Sequence, residues 1–167
     1  MNRKEYNIAV KDHSGKVYGY CLKYLRNSED ASDIVQDVFE KLWKNRKKVD
    51  FVKSKSWLFT SAHNALLNFI GKKNRITYMF DLESNQCGSN HADDFETRQL
   101  VENCLATLPP VQKSIILLRD LEGYNYKEIS EILDLSESQV KVYLFRARNK
   151  VKKQILGITA PKKVQHA

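Results

Sequence analysis

Six cationic side chains, Lys141, Arg146, Arg148, Lys150, Lys152 and Lys153, stand against a single acid between Glu137 and Gln154. Crowded guanidinium and ammonium groups neutralise phosphates and release counterions. The same stretch alternates at helical spacing: Val140, Leu144, Ala147 and Val151 fall on one face. At about 100° per residue the opposite face carries Ser138, Val142, Phe145, Arg146 and Asn149, with Lys141 on its border. A helix bearing donors and an aromatic on its free face, with phosphate-binding charge beyond them, is suited to reading base edges in a major groove.

Two further sets of polar residues have ordered spacing. In SEDASDIVQDVFEKLWKN, Asp33, Asp37, Glu40 and Lys44 share one helix face with Gln36 at its edge. Periodicity by itself reads this acidic stripe as a solvated surface. Further on, the basic loop Arg46 to Lys55 carries Phe51, and the helix after it presents Thr60, His63, Asn64 and Asn74, with Leu67 as an apolar exception. Cations and an aromatic next to amide side chains suit a nucleic-acid strand whose bases stack or accept hydrogen bonds. Read alone, His63 is an ordinary surface histidine.

Holding these groups in place requires helices with defined ends. Asn125 followed by Glu128, and Ser136 followed by Gln139, are two capping-box signatures eleven residues apart, the spacing of two short helices joined by a tight turn. Ile129, Ile132 and Leu133 give the first of them an apolar face, so the pair reads as a helix-turn-helix. Upstream, a helix from about Asp94 to Thr107 buries Leu100, Val101, Cys104 and Leu105, with Leu108 beyond; Pro109-Pro110 breaks it and starts the next, which Gly123 is suited to end. In the N-terminal half, residues 3 to 25 read as two short helices broken near Ser14-Gly15. Ser28 caps a helix that buries Ile34, Val35, Val38, Phe39, Leu42 and Trp43, and Ser54 or Ser56 caps one that buries Trp57, Leu58, Ala62, Ala65, Leu66, Phe69 and Ile70.

The fold expected is therefore all-α, two small helical domains joined by a flexible linker, the second ending in a helix-turn-helix. The domains span residues 1–77 and 94–158, the polar, acidic stretch 78–93 links them, and 159–167 form a tail. Charge is segregated: residues 27–40 hold five acids and no base, 41–55 seven bases and one acid, 81–96 five acids and no base. With a net charge of +8 this points to a polyanionic partner through its distribution more than its size. No run of eighteen apolar residues and no secretory leader is present, which places the chain in the cytoplasm without membrane insertion. Three cysteines without C-x-x-C spacing read as reduced thiols, and Cys87 with His91 is an incomplete ligand set, so neither metal nor cofactor is expected.

Two separated motifs match one pattern. SEDASDIVQDVFEKLWKNR followed by KSWLFTSAHNALLNFIGKKNR resembles the second conserved region of bacterial sigma factors, and LPPVQKSIILLRDLEGYNYKEISEILDLSESQVKVYLFRARNKV resembles the fourth. The chain resembles a small sigma factor of the extracytoplasmic-function group from about Tyr6 to Gln154, the acidic linker excepted. The resemblance implies that Asp33, Gln36, Asp37 and Glu40 dock on the clamp helices of the largest polymerase subunit. It implies that Lys48, Phe51, Lys53, His63, Asn64 and Asn68 hold the separated strand of the minus-ten element. It also implies that Ser138, Lys141, Val142, Phe145 and Arg146 read the minus-thirty-five duplex. Asp134 stands where the family often has a small residue, Val142-Tyr143 where it has serine then arginine, and Gly71 where it has a base, so the promoter sequence does not carry over.

The implied protein is not an enzyme. Its partners would be core RNA polymerase and promoter DNA, with an anti-sigma factor as a further candidate and no small-molecule substrate. Two other readings remain: a helix-turn-helix regulator working without polymerase, against which the acidic stripe argues, and a nucleic-acid hydrolase, for which no convergent acid, nucleophile or metal set is apparent.

Overall fold

The computed structural model describes residues 1–80 and 94–159, and among these every regular element is helical. The first bundle is built from α1 (Arg3–Leu25), α2 (Ser28–Asn45) and α3 (Ser54–Phe80). Helix α1 starts at a reciprocal cap in which Asn2 accepts from the Glu5 amide while the Glu5 carboxylate accepts from Asn2, and it ends at Arg26 in the left-handed region. It is one helix, not the two expected. A mid-helix glycine costs only about 0.5–1 kcal/mol relative to alanine, and burial of Ala9, Val17, Tyr20, Cys21 and Tyr24 along the helix outweighs that loss at Gly15.

Asn27 rather than Ser28 caps α2, accepting from the Asp30 amide, and Glu29 and Asp30 complement the helix dipole in its first turn. Ile34, Val38, Phe39 and Leu42 are buried as the spacing required, whereas Val35 and Trp43 lie half-buried at the border. Trp43 meets the Tyr6 ring edge-on at 4.9 Å and lies 3.9 Å beneath the Arg46 guanidinium. In α3, Leu58, Ala62 and Leu66 are fully buried. So is Phe59, which lies outside the apolar stripe that the sequence defines. Helix α3 also runs on through Phe80, so residues 78–80, expected in the linker, are helical. The rest of that linker, with Cys87 and His91, and the tail from residue 160 lie outside the described residues.

The second bundle comprises α4 (Asp94–Ala106), α5 (Pro110–Ile116), α6 (Tyr126–Leu133) and α7 (Glu137–Thr159). Cys104, Leu105 and Leu108 are buried, but Val101 is exposed and Leu100 only half-buried, because α4 packs against α7 along a narrower stripe than predicted. Pro110 opens α5, whose chain continues into a wide π-helical turn over Leu117–Leu121 and then reverses at Gly123, at φ 74° where a β-carbon would be strained. Both capping boxes form: Asn125 with Glu128, and Ser136 with Gln139. Between them Asp134 takes φ 53°, a left-handed conformation that Asp tolerates in tight turns.

The two bundles dock on each other, and one continuous core runs through both. Phe59 of α3 meets Tyr124 at 5.0 Å edge-on, a geometry worth about 0.5–1.5 kcal/mol beyond its buried area. The Tyr24 hydroxyl donates to the Pro110 carbonyl at 3.1 Å, and Lys113 Nζ donates to the Tyr24 carbonyl at 2.7 Å. Thr60 donates to the Ile132 carbonyl at 3.0 Å. Lys55 pairs with Glu128 at 3.0 Å, and with both side chains more than a third exposed such a pair contributes only about 0–1 kcal/mol. Apolar and aromatic contact, not charge, therefore dominates the docking.

Candidate nucleic-acid interface

Helix α7 buries Val140, Leu144 and Ala147 against α5 and α6, which turns Ser138, Lys141, Val142, Phe145 and Arg146 outward. All five are exposed, Val142 by 45% and Phe145 by 68%, an arrangement with two apolar groups facing water that a partner surface would relieve. The Lys141 ammonium lies 5.5 Å from the centre of the Tyr126 ring, which brings the first helix of the pair beside the base of this face. The other cations divide by task. Arg148 pairs with Asp120 and Lys150 donates to the Thr107 carbonyl at 2.7 Å, so both tie α7 to its own bundle.

On α2, Asp33, Gln36, Asp37 and Glu40 are all exposed, aligned over two turns and backed by the buried Ile34, Val38 and Leu42. Glu40 bonds to Lys44 one turn on, and that ammonium lowers its carboxyl below the usual range. The stripe is thus a rigidly mounted acidic edge on a protein of opposite net charge.

The residues expected to hold a separated strand are only partly assembled. Lys48 and Lys53 are exposed, Phe51 is half-buried, and Asn64 and Asn68 are exposed one turn apart on α3. His63 departs from the expected surface position. It is 6% exposed, and its Nδ1 lies 3.0 Å from Ser114 Oγ and 3.3 Å from the Tyr20 hydroxyl. Thr60, expected beside it on a free face, is likewise turned into the seam between the bundles. The reason is long-range: residues more than fifty positions downstream cover this side of α3. Val52 escapes a reading by spacing alone; it is 85% exposed beside Phe51, and its one local signal is an apolar residue inside a basic loop.

The proximity of Ser114 to His63 resembles a nucleophile with its base, but Ser114 is fully buried and Tyr20, raised far above the ordinary phenol range by burial, completes a closed polar trio. A neutral imidazole accepting at Nδ1, with Tyr20 donating to Ser114 and Ser114 to the ring, satisfies every member. Burial also lowers the His63 pKa, consistent with the neutral ring. Among the described residues no group of His, Cys, Asp and Glu is placed to hold a metal ion, and no helix is long and apolar enough to cross a membrane. Cys21 is buried with its thiol pushed up to about 12, and Cys104 is buried too, so both behave as small apolar groups.

Two helical bundles, one with an outward acidic edge and one ending in a helix-turn-helix whose second helix has an exposed basic face, are the architecture of a DNA-binding protein. Residues 9–76 match the Sigma-70 region 2 family and residues 98–151 match Sigma-70 region 4. The ECF RNA polymerase sigma factor SigM of Bacillus subtilis is 30% identical over 140 residues, covering 81% of this chain and 86% of that protein. The ECF RNA polymerase sigma-E factor of Haemophilus influenzae is 27% identical over 172 residues, covering 92% and 89%. In fold, the chain superposes on the sigma factor RpoE of Bartonella quintana, solved with the anti-sigma factor NepR, at a TM-score of 0.77 with 21% identity over 91% of this chain and 97% of that one. It superposes on CnrH, solved with the cytosolic domain of CnrY, at 0.70 with 22% identity over 95% and 92%. The chain belongs to the extracytoplasmic-function family of RNA polymerase sigma factors, proteins that direct promoter recognition and transcription initiation.

Proposed function

We propose that the chain carries out this role through three surfaces. The acidic edge Asp33, Gln36, Asp37 and Glu40 docks on core RNA polymerase. The loop with Lys48, Phe51 and Lys53, extended by Val52 at its tip, holds the separated minus-ten strand together with Asn64, Asn68 and, once uncovered, His63. Ser138, Lys141, Val142, Phe145 and Arg146 read the minus-thirty-five duplex from the major groove. Nothing here needs bond chemistry: duplex reading rests on base-edge contacts, and strand opening on binding flipped bases more tightly than they stack. The protein would act in the cytoplasm as a non-enzyme, with core polymerase and promoter DNA as partners. The complex of its structural relative RpoE with the anti-sigma factor NepR supports such an inhibitor as a third.

The observation that carries this reading is the presence on one chain of an exposed acidic edge on α2 and an exposed reading face on α7, mounted on separate bundles. A regulator acting without polymerase would need only the second. Purified chain should bind core polymerase and start transcription from cognate promoter DNA; DNA binding unaffected by core polymerase, with no initiation, would favour the regulator instead.

A further inference from the structure

The basic loop opens with two cations that none of the three surfaces uses, Arg46 and Lys47, and the fold brings Arg3 of α1 beside them. The Met1 nitrogen donates to the Val49 carbonyl at 3.1 Å, which pins the start of α1 against that loop. Between the two runs a cleft of about 620 Å³, lined by Met1, Asn2, Arg3, Trp43, Arg46 and Lys47. Its volume lies within the range of roughly 300–1,000 Å³ that small-molecule sites occupy. Every ionisable side chain on its wall is a cation, and the nearest acid along α1, Glu5, is engaged with the Asn2 amide.

Two of these cations are unengaged and the third is fixed. Arg3 and Lys47 are exposed, and among the described residues no hydrogen bond or ion pair holds either side chain. Arg46 Nη1 donates to the Trp43 carbonyl at 2.8 Å while its guanidinium lies 3.9 Å over the indole, a ring that Tyr6 steadies edge-on. With one face against the indole, the guanidinium turns its other face to the cleft it lines, and such a plane stacks on a nucleic-acid base much as an aromatic ring does. Unengaged cations take phosphate oxygens through charge-assisted hydrogen bonds. A stacking plane fixed in advance costs less ordering on binding than a free side chain would, so the cleft combines a prepared base platform with two phosphate donors.

We propose that this cleft is a nucleotide-binding site, in which Arg3 and Lys47 hold the phosphate and the Arg46 guanidinium, backed by Trp43, stacks on the base. The same chemistry has two sources. One is a further nucleotide of the promoter strand, because Lys47 directly precedes Lys48 of the strand-holding loop and the cleft continues that basic track. The other is a free nucleoside phosphate. The strand source rests on the loop assignment above; the free source does not.

Two titrations separate the sources. In the first, core polymerase carrying the full-length chain is titrated with a single strand of the minus-ten element alone, and with the same strand longer by two nucleotides at one end or the other. If the strand enters the cleft, one of the longer strands should bind about tenfold tighter than the short one. Arg46→Ala, or Arg3→Ala with Lys47→Ala, should remove that gain while leaving the short strand within about twofold. In the second, the full-length chain alone is titrated with ATP and with inorganic triphosphate. If the ligand is a free nucleotide, ATP should bind about tenfold tighter than triphosphate, since only ATP has a base to stack, and Arg46→Ala should level the two. Arg46→Lys keeps the charge but lacks the plane, so it should behave as Arg46→Ala does in either titration. Holoenzyme affinity for minus-thirty-five duplex, read by the other bundle, should stay within about twofold in every variant. No gain from either longer strand together with no preference for ATP over triphosphate would overturn the proposal. So would a gain or preference that survives Arg46→Lys or the loss of Arg3 and Lys47. If the holoenzyme binds no minus-ten strand at all, the loop assignment fails, and the cleft then stands or falls on ATP alone.

Discussion

The Tyr20 hydroxyl donates to Ser114 Oγ at 3.0 Å across 94 positions of sequence, joining the C-terminal part of α1 to α5. Both residues are buried, and His63 accepts from Ser114 at 3.0 Å, so a polar trio sits where the two halves of the protein meet. Low local dielectric makes such a trio worth little net while satisfied and costly when any member is removed.

That asymmetry ranks two substitutions. Tyr20→Phe leaves Ser114 free to donate to His63, so it should cost about 1 kcal/mol. Ser114→Ala removes the shared partner of the Tyr20 hydroxyl and the ring nitrogen, leaving them only their own longer 3.3 Å contact across the space it opens, and should cost about 1–3 kcal/mol. Urea unfolding of the two variants checks the order; a larger loss in Tyr20→Phe would show that the serine is not the hub.

Docking should weaken in acid. Burial in the seam, where Ser114 of the second bundle covers the ring, lowers the His63 pKa. The docked form thus binds fewer protons than the parted form, in which His63 returns towards 6.5. Stabilisation of the docked form is complete above that value and is lost as pH falls through it towards the lower docked pKa. Small-angle scattering should show the chain expanding between about pH 7.5 and pH 5.5, less so in His63→Gln. A pH-independent radius in the wild type would rule this linkage out.

Reversing Asp33 and Asp37 to Lys should leave stability within about 0.5 kcal/mol, because both side chains are exposed and outside the buried face of α2. Core polymerase affinity should fall about tenfold or more as two favourable charge pairings become repulsive. Unchanged affinity would return the stripe to an ordinary solvated surface.

On α7 the cations should fail differently. Arg146→Ala should cost about 1–3 kcal/mol on the preferred upstream element and less on altered ones, relaxing specificity. Lys152→Ala with Lys153→Ala should weaken all sequences alike and reduce the salt slope by roughly one unit for each phosphate no longer neutralised. Arg148→Ala should instead act on stability, by about 0–1 kcal/mol, since its partner is Asp120 of the same bundle. Holoenzyme binding to a promoter series at several salt concentrations separates the three, and an equal fall on every promoter after Arg146→Ala would remove its base-reading role.

What the sequence determined by itself was local. Each capping box closes over three residues, each apolar stripe repeats within one helix, and the acidic edge and the α7 reading face are simply the remainders of those stripes; short-range geometry dictates all of them. The continuity of α1 through Gly15, the burial of Phe59 and Val101's exposure were decided elsewhere, by which neighbour each helix met. The same holds for His63 and Thr60. By spacing they belong to a free polar face, yet α5 and α6, folded from residues more than fifty positions downstream, bury one and engage the other. A helix's period fixes which residues share a side; only the tertiary structure decides whether that side meets water, DNA or the rest of the protein, because burial depends on neighbours whose sequence separation no local pattern records.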